Sequence, residues 1–238
     1  EGSDWFWWYG DDHSSAHDLE FDDLFRRHLR NVYTLLDKPV PDELLVSNIS
    51  TSPLVATEMS PIGFITPTVD GEETSYFEWL GAGAIEVRDV GGAMHRTDRK
   101  SSHLAFVLFG FDRDQFYVRL DAATRGMAGL LADGLAFSVT FLKPEGLRFV
   151  LSQRSGRLGG TFSEKAPGAP SWVDRGPGGA SSACGTVIEV ALPLRELGVT
   201  AGAPLSFVVA VHDAYGNEVE RHPTHRPVDL TVPDERFD

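Results

Sequence analysis

The chain has 238 residues, 42% apolar and 11% aromatic, which suits one large domain, or a short segment plus one domain, with a real core. Its formal net charge is −14 and it has no extended cluster of Lys and Arg, so neither nucleic acid nor an anionic membrane surface is expected as a partner. A single cysteine, Cys184, excludes an internal disulfide framework, and no apolar run approaches the roughly 20 residues of a membrane helix.

The first predicted element is aromatic. EGSDWFWWYGDDH places Trp5, Phe6, Trp7, Trp8 and Tyr9 in succession, flanked by Asp4, Asp11 and Asp12. Termini are usually poorly ordered, so this much ring surface at residue 5 points to a truncated chain whose true N-terminus, with any targeting signal, is missing. The compartment is therefore left open. With Ser3 as N-cap, a helical reading puts Asp4 and Trp8 on one face and Trp5 and Tyr9 on another. Next, DLEFDDLFRRHLRNVYTLLD carries apolar residues at Leu24, Phe25, Leu29, Val32, Leu35 and Leu36, the stripe of an amphipathic helix. Asp18 suits its N-cap, Arg26, Arg27 and Arg30 follow the early acids, and Lys38-Pro39 ends it.

Residues 38–67 read as a Pro-rich connector, with Pro39, Pro41, Pro53, Pro61 and Pro67. Leu44 to Val46 and Phe64-Ile65 are apolar enough to lay it down as a strap. Residues 68–238 read as all-β. SYFEWLGAGAIEV has strand composition. LAFVLFGF and QFYVRLDA flank the turn Asp112 to Asp114, and GLAFSVTFL and LRFVLSQ flank Lys143 to Gly146, giving two hairpins. TVIEVALP, a helical turn at Leu194 to Leu197, LSFVVAVHD and a turn at Tyr215 to Asn217 follow. Ser152 to Ser182, rich in Gly, Pro and Ser, is expected to be one long loop. The predicted fold is mainly β: a two-sheet antiparallel β-sandwich preceded by a short helical segment.

Few other residues suggest chemistry. His212, Asp213, His222 and His225 lack the spacing of a zinc site. Asp112, Asp114 and Asp121 fit turn acids better than calcium ligands. Gly81 to Gly83 and Gly91-Gly92 lack the context of a phosphate loop and suggest strand bends. Ser181, Ser182 and Cys184 lack the setting of a nucleophile, and Cys184 is read as a small core residue. No metal and no cofactor is expected. Trp79 is either core or a sugar platform, whereas Trp172, within the expected loop, is the better platform.

EGSDWFWWYGDDH followed by FDDLFRRHLRNVY resembles the last conserved region of glycoside hydrolase family 57, whose members act on α-glucans. The resemblance covers Glu1 to about Tyr33. It implies a segment at the junction of a seven-stranded (β/α) barrel and a helical bundle, facing the sugar cleft. SYFEWLGAG, GGAMHR, FVLFGFD, FYVRLD and IEVALPLRELGV are similar to the C-terminal extension of long members of that family. More distantly, this zone is similar to family 9 carbohydrate-binding modules and DOMON-type domains, which bind sugars or haem.

The family's retaining mechanism needs two carboxyl groups about 5 Å apart. They come from barrel strands upstream of the aromatic motif, and nothing here matches the nucleophile glutamate or the acid/base aspartate. No catalytic residue is therefore expected. What the resemblance implies is sugar binding at Asp4 and Trp5. An indole covers the C–H face of a pyranose, and a carboxylate accepts two of its hydroxyls. Phe6, Trp7 and Trp8 are expected mostly in packing, with Trp8 kept as a candidate contact because it shares the face of Asp4. The candidate substrate-binding residues are thus Asp4, Trp5, Trp8 and Trp172. The expected function is the non-catalytic C-terminal portion of an α-glucan-acting hydrolase or transglycosylase. Its partners would be an α-glucan or other carbohydrate and the upstream catalytic barrel of the same polypeptide. A stand-alone carbohydrate-binding module and a purely structural or interaction sandwich are the alternatives.

Overall fold

The computed structural model describes residues 18–47, 58–75, 77–87, 102–124, 126–154, 156–169, 171–224 and 226–234. In chain order the elements are α1 (Asp18–Leu35), β1 (Glu58–Met59), β2 (Gly83–Glu86), β3 (Leu104–Phe111), β4 (Gln115–Ala122) and α2 (Met127–Ala132). Then come β5 (Ala136–Lys143), β6 (Leu147–Arg154), β7 (Arg157–Glu164), β8 (Val173–Gly176), β9 (Ser181–Cys184) and β10 (Val187–Pro193). The chain closes with α3 (Leu194–Leu197), β11 (Pro204–His212), β12 (Glu218–His222) and β13 (Val228–Thr231). Two antiparallel sheets form, in the orders β1-β2-β3-β4-β10-β9 and β12-β11-β5-β6-β7-β8. β13 shares one edge of β11 with β12, pairing residues 204–207 while β12 pairs 209–212. The fold is the mainly-β, two-sheet architecture anticipated from the strand pattern.

Alternation along each strand sends one set of side chains between the sheets. From β4 these are Phe116, Val118 and Leu120; from β5, Phe137, Val139 and Phe141; from β11, Phe207, Val209 and Val211, all buried. Phe207 meets Phe109 at 5.3 Å and Phe116 at 5.1 Å, both edge to face, the arrangement ring quadrupoles favour. Each such ring is worth about 3–5 kcal/mol against truncation to Ala.

Ser152 to Ser182 is not the single loop expected. It holds the end of β6, then β7 and β8, and reaches into β9. Gly159, Gly160 and Gly176 are strand residues: an added Cβ at Gly160 would lie 2.2 Å from Cζ of Phe149, so the gap exists to seat that ring. Gly83 plays the same part for Phe109, with 2.4 Å to Cε2, and marks close packing rather than a bend. SYFEWLGAGAIEV is strand only over Gly83–Glu86, and the Pro-rich connector itself supplies β1.

Residues 61–82 lie across the outer face of the first sheet as a strap. The amide of Ile65 donates to the carbonyl of Phe111 at 2.8 Å. Ile65, Trp79, Tyr117 and Ala191 form a second, smaller buried cluster there. The hub is Glu189, wholly buried on β10. Its carboxylate accepts the amides of Asp70 (3.0 Å) and Gly71 (2.9 Å) and the indole N–H of Trp79 (3.0 Å). Trp79 is thus a core residue of this strap.

Candidate functional site

The strap closes the outer face of the first sheet, and the phenylalanines fill the space between the sheets. The void lined by Val118, Phe137, Phe149, Ile188 and Val190 measures about 10 Å³, room for a water-sized group at most. Among the described residues, the face left to carry a site is the outer face of the second sheet.

Its residues follow from register. Arg148 on β6 stands opposite Thr140 on β5 and Ser163 on β7, and Ser163 stands opposite Asp174 on β8. These four share the outer face, because their neighbours Phe141, Phe149 and Phe162 point inward. The Ser163 hydroxyl, buried in this row, donates to Asp174 Oδ1 at 2.8 Å. Trp172, half-buried, precedes Asp174 by two residues and lies on the same side of its strand. The Arg148 guanidinium stacks on its indole at 4.4 Å, and Lys165 Nζ stands 5.9 Å from the ring centre. Burial draws the Arg148 pKa down, against the pull of Asp174.

Further along the face, His212 Nε2 and the Ser138 hydroxyl share a hydrogen bond of 2.8 Å. Burial lowers the His212 pKa, Glu218 raises it, and Arg148 and Arg221 lower it again. Arg30 of α1 reaches Glu218 at 3.6 Å, and burial together with Arg221 brings the Arg30 pKa down to about 10. Burial would raise the Glu218 carboxyl, but the hydrogen bond and charge of Arg221, with Arg30, hold it below the usual range.

α1 sits on its polar side. Asp22, Asp23 and Arg26 are buried. Arg26 Nε donates to Asp22 at 2.8 Å, Ser47 donates to the same carboxylate at 2.6 Å, and Arg26 Nη1 reaches the Leu44 carbonyl at 3.4 Å. Most of the stripe expected to seek a core is turned outward: Leu24, Val32, Leu35 and Leu36 are exposed, whereas Phe25 and Leu29 are half-buried. At about 100° per residue the two faces lie roughly 140° apart. Asp37, at φ 52°, ends the helix in the left-handed region just before Pro39.

Asp4, Trp5 and Trp8, with Asp11, Asp12, His13 and Gly91-Gly92, lie outside the described residues. Of the candidate substrate contacts, Trp172 alone is described, and it brings with it Arg148, Lys165, Ser163 and Asp174, which sequence reasoning missed. Alternation in LRFVLSQ was the signal for Arg148, since Leu147, Phe149 and Leu151 claim the inner face. The remaining constellations have structural work. Asp112 accepts the amides of Asp114 (2.7 Å) and Gln115 (2.6 Å) and the Tyr117 hydroxyl (2.7 Å), holding the hairpin turn. Asp213 accepts the amides of Tyr215 and Asn217, and Glu220 accepts those of His103 and Leu104 and binds His222. His225 is not among the described residues. Cys184 packs against the core, and burial with Glu72 pushes its thiol up to about 11, well away from a reactive thiolate. No protein-family model matches this chain, and no curated protein matches it.

Proposed function

We propose that this chain is the non-catalytic C-terminal portion of an α-glucan-acting glycoside hydrolase or transglycosylase. In that reading Asp4, Trp5 and Trp8 line one wall of the sugar cleft, and the sandwich buttresses the catalytic barrel. The family 57-like motif over Glu1 to about Tyr33 suggests the reading, and the orientation of α1 is the observation that carries it. A helix whose Asp22 and Arg26 engage Leu44 and Ser47 of the connector, and whose Arg30 reaches Glu218 of the sandwich, keeps Leu24, Val32, Leu35 and Leu36 for another body. Exposed apolar stripes of this kind mark protein interfaces. The end of a helical bundle, packed on helices and a barrel that precede it, has that need.

In the cleft, Trp5 would exclude water from one pyranose face while Asp4 accepts hydroxyls at its rim, fixing both position and rotation. The carboxylates that attack and protonate the glycosidic bond belong to the barrel. Fusing the chain to a family 57 barrel and replacing Asp4 and Trp5 singly with Ala tests this. α-Glucan turnover should fall roughly tenfold or more in each variant, the cost of losing a sugar contact that strengthens toward the transition state. Unchanged turnover in both removes the role.

A second reading has its own observation. Trp172 lies half-buried on a sheet face carrying Thr140, Ser163 and Asp174, which suits a sandwich that holds a glycan by itself. Affinity electrophoresis of the whole chain in gels containing soluble starch or glycogen separates the two. Retardation lost on Trp172→Ala supports glycan capture, and no retardation leaves the sandwich a structural support.

A further inference from the structure

Arg148 and Lys165 approach the same indole, at 4.4 Å and 5.9 Å, and neither forms an ion pair with a described carboxylate. The acid in their row, Asp174, has Oδ1 engaged by Ser163. Arg148 Nε is buried and makes no hydrogen bond. Register explains the convergence. Glu164 pairs with Val173 at the end of the β7–β8 ladder, and Lys165 and Trp172 are the residues just beyond that pair. Arg148 reaches the ring from the neighbouring strand. A buried guanidinium N–H without an acceptor carries an uncompensated desolvation cost. Among the described residues, Asp174 is the one acid whose charge is felt at Arg148, so the two cations leave this ring with net positive charge in a chain of net charge −14, which calls for an anion from outside.

We propose that this corner of the second sheet binds the phosphate group of a phosphorylated saccharide. Arg148 offers its planar fork and Lys165 a point charge to the oxyanion, a division of labour suited to phosphate. Trp172 offers the ring surface that Arg148 leaves uncovered to the sugar body, and the exposed Asp174 carboxylate supplies a polar edge beside it. The ring is the reason to expect a sugar phosphate over the bare ion. The site lies wholly within the sandwich, apart from residues 1–33 on which the hydrolase reading rests. Its failure would leave that reading untouched, and the converse holds.

The test is a titration of the ¹⁵N-labelled full chain with glucose 6-phosphate, inorganic phosphate, glucose and, at matched ionic strength, potassium chloride. The readout is the indole N–H signal of Trp172, assigned with Trp172→Phe. Glucose 6-phosphate is expected to shift this signal saturably in the millimolar range. Inorganic phosphate should bind the same site more weakly, and glucose and potassium chloride should leave it in place. Arg148→Gln and Lys165→Gln should each weaken binding about tenfold, the scale of one charge-assisted hydrogen bond. The site is overturned by the absence of a saturable shift with either phosphate, by an equal shift with potassium chloride, or by undiminished affinity in both charge variants. Equal affinity for inorganic phosphate and glucose 6-phosphate overturns the saccharide assignment. Should Arg148→Gln fail to fold, Lys165→Gln and the salt comparison decide the matter.

Discussion

Glu189, in the middle of β10, accepts the indole N–H of Trp79 at 3.0 Å although 110 residues separate them. The same carboxylate takes the amides of Asp70 and Gly71, so one buried acid satisfies three donors of the strap. Replacing it leaves those donors buried without an acceptor. Glu189→Ala should therefore lose about 3 kcal/mol of stability, and Glu189→Gln, which keeps one acceptor oxygen, less. Urea denaturation measures the loss, and amide exchange over residues 61–82 locates it. A loss under about 1 kcal/mol, with strap exchange unchanged, would mean the strap is held by Ile65 and its apolar neighbours instead.

Gly160 and Phe149 make a second coupled pair. An added methyl would stand 2.2 Å from the ring of Phe149, in a core already closed by the contact of Phe149 with Phe162 at 5.0 Å. Gly160→Ala should destabilise by about 1–3 kcal/mol through overpacking. Phe149→Leu frees space, so the double variant should be more stable than the sum of the two single losses implies. Strict additivity by calorimetry would show that the strand simply shifts to admit the methyl.

These two pairs show what the sequence does and does not reveal. The hairpins at Asp112 and Lys143 are legible because alternation and turn residues are both local. The strands within Ser152–Ser182 are not, because Gly159 and Gly160 read as loop punctuation when at least one of them is room for a ring contributed by another strand. Glu189 reads as an ordinary outward residue until a strap some 110 residues earlier folds over it. The polar corner is half legible: Arg148 is placed outward by its neighbours, but its approach to Trp172 needs the β6-β7-β8 order. The outward turn of most of the α1 stripe, with Phe25 and Leu29 half-buried, is something periodicity does not foresee. Periodicity finds the apolar face but does not say which body that face will meet.

His212 gives a pH prediction with a definite sign. Burial lowers its pKa in the folded chain below the ordinary value of 6.5, with Glu218 opposing and Arg148 and Arg221 adding to the lowering. The unfolded chain then takes up the proton first as pH falls, so stability is full above pH about 6.5 and declines below it. Glu218 and Glu220, held below the usual carboxylate value of 4.5, add their own loss at lower pH. Urea midpoints of wild type should begin to fall near pH 6.5, and those of His212→Asn should stay flat until the carboxylates titrate. Parallel curves for the two proteins would place the first acid transition elsewhere.

The α1 helix makes the sharpest mutational contrast. Leu35 is 85% exposed and Leu36 62%, whereas Asp22 is 1% and Arg26 3%. In this chain the leucines contribute little burial, so Leu35→Ser with Leu36→Ser should change stability by less than about 0.5 kcal/mol. Asp22→Ala strands the buried guanidinium of Arg26 and takes away the acceptor of Ser47, so α1 should lose its seat at a cost of about 3 kcal/mol. Amide exchange along residues 18–35 reads both. In the barrel fusion the order should reverse for the serine variant, because a stripe idle in this chain would there be packed. A serine pair silent in both settings would leave the stripe without a partner and remove the main support for a bundle at this end of the molecule.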